Sequence, residues 1–265
     1  MKRYCLELGN IYMSATTPLV SVIMSIYNSH QTIIRAVDSI ICQTYQNIEI
    51  IIIDDASEDC SVDIIKEYID KDNRIKLIQN NKNMGLAWSL NKAIMNSKGF
   101  YIARMDSDDR SHCERIERQV DFLENNPKID VLGTASRYVD ENYRFVKNIT
   151  MPKYHKDCAS ILPKTTPFIH PTVVIRRTFF DKVGFYDESL RKAQDYELWA
   201  RGMNCAYYAN LADILLDYTV PKNKSYKTML QEIKVRTACA YKYHFLLSSL
   251  RYTLIGFLLA VVTRF

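Results

Sequence analysis

The sequence lacks paired cysteines, a leader-like apolar start and a long uncharged apolar run. Its seven cysteines are odd in number, scattered and without a Cys-x-x-Cys pair, which excludes zinc ribbons and disulfide scaffolds and favours a reducing compartment. No apolar core of about 7–15 residues follows Lys2 and Arg3, so we expect no signal peptide. The uncharged run Tyr252–Thr263 is too short for a membrane-spanning helix, which needs about 20 residues.

The composition is that of a globular protein with an unevenly charged tail. The 265 residues are 48% apolar and 25% charged, which suits one domain with an appendage. Residues 221–265 hold eight Lys or Arg and one acid, whereas residues 1–220 hold 27 basic and 29 acidic residues. Because a nucleic-acid binder would be more uniformly basic, we expect no nucleic-acid partner. We divide the chain into an extension (1–17), a domain (18–220) and a basic tail (221–265).

Strand and helix patterns alternate over residues 18–109. Short apolar runs predict buried parallel strands, and helical spacing predicts helices between them. The predicted strands are 20–26, 48–53, 75–78 and 101–105, and the predicted helices are 33–41, 61–70 and 85–97. This order predicts an α/β fold with a doubly wound, mostly parallel sheet. Gly99 is expected to end the third helix as its C′ residue.

The second half of the domain is more mixed. We predict further helices at 114–125, 177–183 and 195–203, and strands at 130–139, 144–150, 172–176, 206–209 and 213–219. The tail is expected to be helical. Its basic stretch 222–242 would meet anionic headgroups, with Phe257–Leu259 dipping inward. A helix packed on the domain, or a spanning helix, are the alternatives.

Polar clusters follow three of the predicted strands. They are Tyr27-Asn28, Asp54-Asp55 and Asp106-Ser107-Asp108-Asp109. Ligands of doubly wound sheets bind beyond the carboxyl ends of the strands. We therefore expect these three clusters to form one site.

The cluster from Asp106 to Asp109 places three carboxylates after a buried strand. A solvated turn that caps a helix is the alternative for such residues. So much like charge at a buried position favours a neutralising cation, and Mg²⁺ or Mn²⁺ binds one or two carboxylates together with substrate phosphates. We predict that Asp106 and Asp108 bind Mn²⁺ or Mg²⁺, which would act as a Lewis acid on a leaving diphosphate.

Two loops near this cluster are weaker candidates. Asp54 and Asp55 have the acceptor oxygens to read a ribose or a base, although a turn that feeds the helix at 61 explains them as well. Asn83 precedes Gly85, which opens a helix and would bring backbone N–H groups near phosphate. A plain helix start is equally compatible with that pattern.

Two further candidates lie in the second half. Asp195 follows Gln194 at the start of a helix that contains Trp199, and a helix cap without chemistry is the alternative for Asp195. His170 precedes a predicted strand, where an ordinary loop histidine is the alternative.

Over residues 18–218, the order and spacing of these segments resemble the family 2 inverting glycosyltransferases with the GT-A fold. The segments that carry the resemblance are Pro18–Asn28, Ile53–Asp59, Asn83–Ala87, Arg104–Asp109, His170–Thr172 and Gln194–Trp199. The Arg-Met-Asp-x-Asp-Asp form resembles bacterial enzymes that build O-antigen or capsule repeat units.

The resemblance implies a division of roles at the donor side. It places the uridine of a UDP-sugar against Tyr27, Asn28 and Asp54, with Asp55 nearby. It gives the ribose and the metal-bound diphosphate to the Asp-x-Asp pair, formed here by Asp106 and Asp108. Asp109, Asn83 and Gly85 would support these residues.

The resemblance also implies a base and an acceptor side. Asp195 matches the general base of the family, which is the second member of a Glu-Asp pair, and Gln194 replaces the first member. His170, Gln194 and Trp199 would lie on the acceptor side. The expected acceptor is a polyprenyl-diphosphate-linked sugar at the cytoplasmic face of the inner membrane, where the protein would be peripheral. Homo-oligomer formation is left open.

Two other function classes fit the sequence less well. A sugar-nucleotide nucleotidyltransferase should have a Gly-rich pyrophosphate loop near its start, and residues 20–32 contain no glycine. A non-catalytic sugar-nucleotide-binding protein would not need Asp106, Asp108 and Asp195 together. The resemblance implies transfer of a hexose to form a β linkage, with UDP-glucose or UDP-galactose favoured and the N-acetylhexosamines close behind.

Overall fold

The computed structural model describes residues 17–220 and 226–243. The predicted extension up to residue 16 and the apolar segment 245–263 lie outside these ranges. The strands are β1 Val20–Ile26, β2 Ile48–Asp54, β3 Ile75–Gln79, β4 Tyr101–Asp106, β5 Arg110–Ser111, β6 Val131–Val139, β7 Phe145–Ile149, β8 Val174–Arg176 and β9 Tyr208–Thr219. The helices are α1 Ile33–Ile41, α2 Ser61–Ile69, α3 Leu86–Met95, α4 Arg115–Asn125, α5 His155–Ile161, α6 Thr178–Val183, α7 Gln194–Gly202 and α8 Tyr226–Lys242, with a 3₁₀ turn at His170–Thr172.

These strands form one nine-stranded sheet. Its order is β3-β2-β1-β4-β8-β6-β9-β5, and β7 pairs with β6. Strands β1 to β4 pair in parallel, as do β6 and β9. The short strand β8 joins the two parts by pairing antiparallel to both β4 and β6. The predicted α/β fold with a mostly parallel sheet is confirmed.

The strand register brings the three polar clusters to one edge of the sheet. Strand β1 lies between β2 and β4, with Ile26 opposite Asp54 and Ser25 opposite Asp106. All three strands run in the same direction, so their carboxyl ends meet. The expectation that these clusters lie together is confirmed.

Burial on both faces explains the continuous apolar run of β2. Alternate strand residues point to opposite faces, and all seven positions of β2 are buried. Ile51 and Ile53 belong to the apolar cluster on one face, whereas Ile50 and Ile52 belong to the cluster on the other. Each such side chain contributes roughly 1.5–3 kcal/mol on burial. The sheet edge that carries the polar loops is therefore rigidly placed.

The prediction for Gly99 is wrong. Helix α3 ends at Met95 with Asn96 as its C-cap, so the chain has already left the helix before Gly99. A Cβ at Gly99 would lie 2.5 Å from both the backbone nitrogen and Oγ of Ser21. Glycine is required here because two backbone segments approach closely at the start of β4.

Three elements differ from the sequence prediction. The two strands predicted at 206–209 and 213–219 are one strand, β9, whose register against β6 shifts between Thr134 and Ser136. Helix α5 and the two-residue strand β5 were not predicted. Both are short, and their sequences show no clear periodicity.

The described part of the tail is a helix that packs on the domain. Cys239 and Ala240 of α8 are buried, and Tyr243 donates a hydrogen bond to Glu197 of α7 at 2.8 Å. Over residues 17–220 and 226–243, no helix combines the length and apolarity that crossing a membrane requires.

Candidate functional site

The loops after β1 and β2 are tied together by hydrogen bonds. The backbone N–H of Asn28 donates to Ser57 Oγ at 3.0 Å, and Asn28 Oδ1 accepts the N–H of Glu58 at 2.9 Å. Asp54 is buried and accepts the N–H of Ser57 at 3.1 Å. Asn28 and Ala56 adopt positive φ angles of 49° and 66°. Such backbone strain concentrates at functional sites, where the surrounding structure enforces it.

The β1 loop also meets the loop after β4. Ser29 Oγ and Ser107 Oγ are hydrogen-bonded at 2.9 Å. Tyr27 lies at the rim with 47% of its surface exposed. The three loops therefore form one polar surface with an aromatic ring at its edge.

The structure gives Asp55 a positioning role. Its carboxylate accepts hydrogen bonds from Asn80 Nδ2 and from the backbone N–H groups of Met84 and Gly85, each at 2.8 Å. The backbone amides of Met84 and Gly85 are therefore engaged by Asp55, and phosphate binding by other N–H groups of this helix start stays a prediction. Asn83 is exposed on the same loop. Asp55 thus fixes the loop that borders the polar surface.

The carboxylates of Asp106, Asp108 and Asp109 converge. Their oxygen atoms lie within 4.8 Å of one another. Asp109 is fully buried; its Oδ1 accepts the N–H of Thr219 at 2.8 Å, while its Oδ2 has no hydrogen-bond partner among the described residues. Burial first, and the charge of Asp106 second, raise the pKa of Asp108 to about 6 and that of Asp109 well above its ordinary value. Such a site stabilises a cation, and hard divalent ions suit its oxygen ligands.

Arg104 is the buried cation beside this cluster. It lies in the middle of β4 with only 2% of its surface exposed, and its Nη1 donates to Asp106 at 2.6 Å. Burial raises the pKa of Asp195 in the second half of the domain, and the charge of Arg104 opposes that rise. The sequence reasoning gave Arg104 no role of its own. A basic residue inside an otherwise apolar strand was the available signal, because buried charges are paired.

Asp106 and Asp195 line the same cleft. This cleft has a volume of about 500 Å³ and opens beside the carboxyl end of β4. Arg104 and His170 line it as well. Residues predicted from separate motifs are therefore brought together around one space.

Asp195 lies in the first turn of α7. The residue before this helix, Ala193, has a positive φ of 56°, so the entry into α7 is strained. Burial raises the pKa of the Asp195 carboxyl above its ordinary value, although the N–H of Tyr196 and the charge of Arg104 oppose that effect. A carboxylate with a raised pKa is a better proton acceptor than an ordinary one at neutral pH.

His170 lines the cleft from the 3₁₀ turn. Its Nε2 is hydrogen-bonded to the hydroxyl of Tyr186 at 2.9 Å. Burial, and then the charge of Arg104, hold the pKa of His170 well below its ordinary value. The ring is therefore neutral, which suits a hydrogen bond to a sugar hydroxyl.

Gln194 and Trp199 do not line the cleft. Trp199 is fully buried and packs edge-to-face on Phe168, with ring centroids 5.1 Å apart. Phe168 lines the cleft, so Trp199 supports the wall from behind. Gln194 is also buried, and its Oε1 has no hydrogen-bond partner within the described ranges.

Three cleft residues were missed by the sequence reasoning. Tyr138 and Tyr218 face each other on β6 and β9, with ring centroids 4.8 Å apart. Arg236 reaches the cleft from α8. The sequence alone does not show that β6 pairs with β9 or that α8 packs on the domain. No sequence signal therefore identified these residues.

Comparison with known proteins agrees with this geometry. The profile of the family described as "Glycosyl transferase family 2" matches residues 21–184. The chain is 33% identical over 231 residues to an uncharacterized glycosyltransferase of Methanocaldococcus jannaschii, covering 86% of this chain and 79% of that protein. It is 32% identical over 216 residues to the O-antigen biosynthesis glycosyltransferase WbnJ of Escherichia coli, covering 80% and 84%.

Solved structures share the fold. S. aureus TarS 1–349 in complex with UDP superposes with a TM-score of 0.67 at 23% identity, covering 87% of this chain and 70% of that one. The mannosyltransferase PcManGT from Pyrobaculum calidifontis, in complex with GDP-Man and Mn²⁺, gives a TM-score of 0.67 at 17% identity, covering 94% and 76%. The expected GT-A fold is confirmed by these similarities.

Proposed function

This chain belongs to glycosyl transferase family 2, and from that premise we propose that it is an inverting hexosyltransferase that uses a UDP-sugar. The acceptor would be a lipid-diphosphate-linked sugar used in bacterial surface polysaccharide synthesis. The observation that carries the proposal is that Asp106 and Asp195 line one cleft. The proposed diphosphate-binding group and the proposed proton acceptor would then share one reaction space.

The converging carboxylates fit a divalent cation. Asp106, Asp108 and Asp109 would hold Mn²⁺ or Mg²⁺, and the buried Oδ2 of Asp109 has a free acceptor position among the described residues. When bound, the ion would neutralise charge on the diphosphate. Asp109 would thus be a third ligand beside the predicted pair, Asp106 and Asp108.

Asp195 would act as the general base. The acceptor hydroxyl oxygen forms a bond to C1 of the sugar on the face opposite the diphosphate, and the C1–O bond to the diphosphate breaks. The proton of that hydroxyl passes to Asp195, and the bonding electron pair leaves with UDP. A single displacement inverts the anomeric centre, so an α-linked donor gives a β linkage. General base catalysis is worth typically about 10²–10⁴-fold in rate.

The uridine would bind the loops after β1 and β2. Tyr27 offers an exposed ring for stacking, while Asn28 and Asp54 hold the two loops together through their hydrogen bonds to Glu58 and Ser57 and would position them around the uridine. UDP is the ligand in the TarS complex, and GDP-Man is the ligand in the PcManGT complex, so the nucleotide has to be measured. UDP-glucose and UDP-galactose remain our favoured donors.

The acceptor proposal draws on WbnJ and on the basic tail. WbnJ is named for O-antigen biosynthesis. Lys242 is exposed on α8, where it would meet anionic headgroups. We propose peripheral attachment at the cytoplasmic face of the inner membrane, and self-association is left open.

A donor screen tests this function. Purified full-length protein is incubated with Mn²⁺, a synthetic lipid-diphosphate sugar and each of several UDP- and GDP-sugars, and the product linkage is read by NMR. We expect a β-linked product from UDP-glucose or UDP-galactose. Transfer from a GDP-sugar alone, retention of the anomeric configuration, or no transfer from any donor would each contradict the proposal.

A further inference from the structure

Helix α8 forms one wall of the candidate site. Glu232 and Arg236 are four residues apart on this helix, and both line the cleft that contains Asp195. The same face of α8 is anchored further along the helix, because Cys239 is buried in the domain core and Tyr243 is hydrogen-bonded to Glu197. The helix is therefore held in place independently of the residues that it presents to the cleft.

Arg236 is a partly satisfied cation in this wall. Its guanidinium lies 5.5 Å from the ring centroid of Tyr196, and its Nη1 makes a long hydrogen bond of 3.4 Å to the carbonyl oxygen of Lys164. Its Nε is buried and has no hydrogen-bond partner among residues 17–220 and 226–243. A buried unpaired donor costs free energy unless a ligand pairs it.

The position of Arg236 relative to the carboxylates indicates which substrate it faces. Arg236 packs against the ring of Tyr196, which is the residue next to Asp195. Both Arg236 and Asp195 line the cleft. Arg236 is thus on the side of the proposed base, where the acceptor hydroxyl has to lie.

We propose that Arg236 binds the phosphate of the acceptor and so selects acceptors that carry a phosphate next to the sugar. The proposal rests on the function proposed above. A guanidinium offers several N–H donors in a planar fork that matches phosphate oxygens, and it keeps its charge at any working pH. A neutral acceptor offers only uncharged oxygen atoms to the guanidinium, so it cannot form the stronger charge-assisted contact.

A role of Arg236 in acceptor binding would give the tail a second function. If α8 supplies an acceptor-binding residue, it is part of the catalytic unit and not only a membrane anchor. Lys234 is a suitable contrast, because it carries the same charge on the same helix but lines a different groove beside Arg191 and Lys242.

The test compares Arg236→Gln with Lys234→Gln in the full-length protein. Two water-soluble acceptors with the same sugar are used, one a short-chain alkyl diphosphate and the other a neutral alkyl glycoside. We expect Arg236→Gln to raise KM for the diphosphate acceptor by about 10–100-fold, since a charge-assisted contact is lost. The rate with the neutral acceptor, the Kd for UDP and the kinetics of Lys234→Gln should stay unchanged. Arg236→Lys should restore part of the loss.

Other results would distinguish failure of the Arg236 proposal from failure of the proposed function. Equal losses of Arg236→Gln on both acceptors, with UDP binding intact, would overturn the selection of phosphate. A tenfold weaker binding of UDP would place Arg236 at the donor and also overturn the proposal. If the wild-type protein transfers sugar from no donor to either acceptor, the proposed function itself falls, and this inference falls with it.

Discussion

The guanidinium of Arg104 forms a buried ion pair with the carboxylate of Asp106 at the end of β4. Across the cleft, the charge of the same guanidinium adds to the effect of burial, which lowers the pKa of His170, and opposes the effect of burial on Asp195, whose pKa is raised. A single cation thus acts on the proposed donor side and on the proposed base. The two halves of the domain are coupled electrostatically through one residue of the central sheet.

Replacing the proposed base should separate chemistry from donor binding. We expect Asp195→Asn to lower kcat by about 10²–10⁴-fold, because the amide cannot accept the proton of the acceptor hydroxyl. The Kd for UDP, measured by calorimetry, should change less than threefold. Asp63→Asn is the matched control, since Asp63 also lies in the first turn of a helix but is exposed on α2. Near-normal turnover of Asp195→Asn would rule out its assignment as the base.

The raised pKa of Asp195 gives a pH dependence with a defined sign. The active form is the carboxylate, so transfer should fall as the pH drops through the pKa of Asp195. Because burial raises that pKa, the acid limb of kcat/KM for the acceptor should lie above the range of an ordinary aspartate. A profile that is flat down to pH 4, while the protein stays folded by circular dichroism, would disagree with this assignment.

Asp109 should behave as a metal ligand and not only as a supporting residue. EDTA is expected to abolish transfer, and either Mn²⁺ or Mg²⁺ should restore it. We expect Asp109→Asn to weaken Mn²⁺ binding in the presence of UDP by at least about tenfold, as judged by electron paramagnetic resonance. Asp213→Asn, which removes an exposed partner of Arg118, is the control. Unchanged Mn²⁺ affinity in Asp109→Asn would restrict the site to Asp106 and Asp108.

The first half of the fold was predictable because its signals are local. Continuous apolar runs such as 48–53 are typical of strands buried on both faces, and β2 is buried throughout. Parallel strands that alternate with helices bring their carboxyl ends to one edge, which placed Asp54 and Asp106 together. Local pattern and global fold agree in this part of the chain.

The second half depended on contacts that a single sequence does not contain. The cleft wall requires β6 to pair with β9 and α8 to pack on α7, so Tyr218 and Arg236 carried no local signal. Trp199 was placed on the acceptor side from its motif, whereas it fills the core behind Phe168. Asp55 was placed near the uridine, whereas its carboxylate is occupied by backbone amides.

At Gly99, the start of β4 lies close to the backbone of Ser21. We therefore expect that adding a single methyl group at this position causes a large loss of stability. A Cβ at this position would meet Ser21 at 2.5 Å and the carbonyl oxygen of Tyr101 at 2.8 Å, so backbone has to move. We expect Gly99→Ala to lower the free energy of unfolding by about 1–3 kcal/mol or more, measured by urea denaturation. Lys98→Ala, which truncates the neighbouring exposed side chain, should cost less than about 0.5 kcal/mol. Equal stability of the two variants would show that β4 can shift without penalty.

The buried carboxylate of Glu49 should make the stability of the central sheet depend on pH. Its carboxylate is buried in β2 and accepts hydrogen bonds from Ser21 Oγ at 2.7 Å and from Lys76 Nζ at 2.9 Å. Burial alone would raise its pKa, but the hydrogen bonds from the Lys98 N–H, Lys76 and Ser21 outweigh burial and lower it.

A lowered pKa in the folded state means that this carboxylate stabilises the fold above its unfolded pKa of about 4.3. The contribution is lost as the pH falls through the folded value. We expect Glu49→Gln to reduce the free energy of unfolding at pH 7 by about 1–3 kcal/mol, because hydrogen bonds to a charged group are lost. The gap to the wild type should close as the pH falls through the lowered pKa of the folded state. Glu67→Gln, at an exposed position of α2, should show no such gap, and a gap for Glu49→Gln that does not change with pH would exclude this linkage.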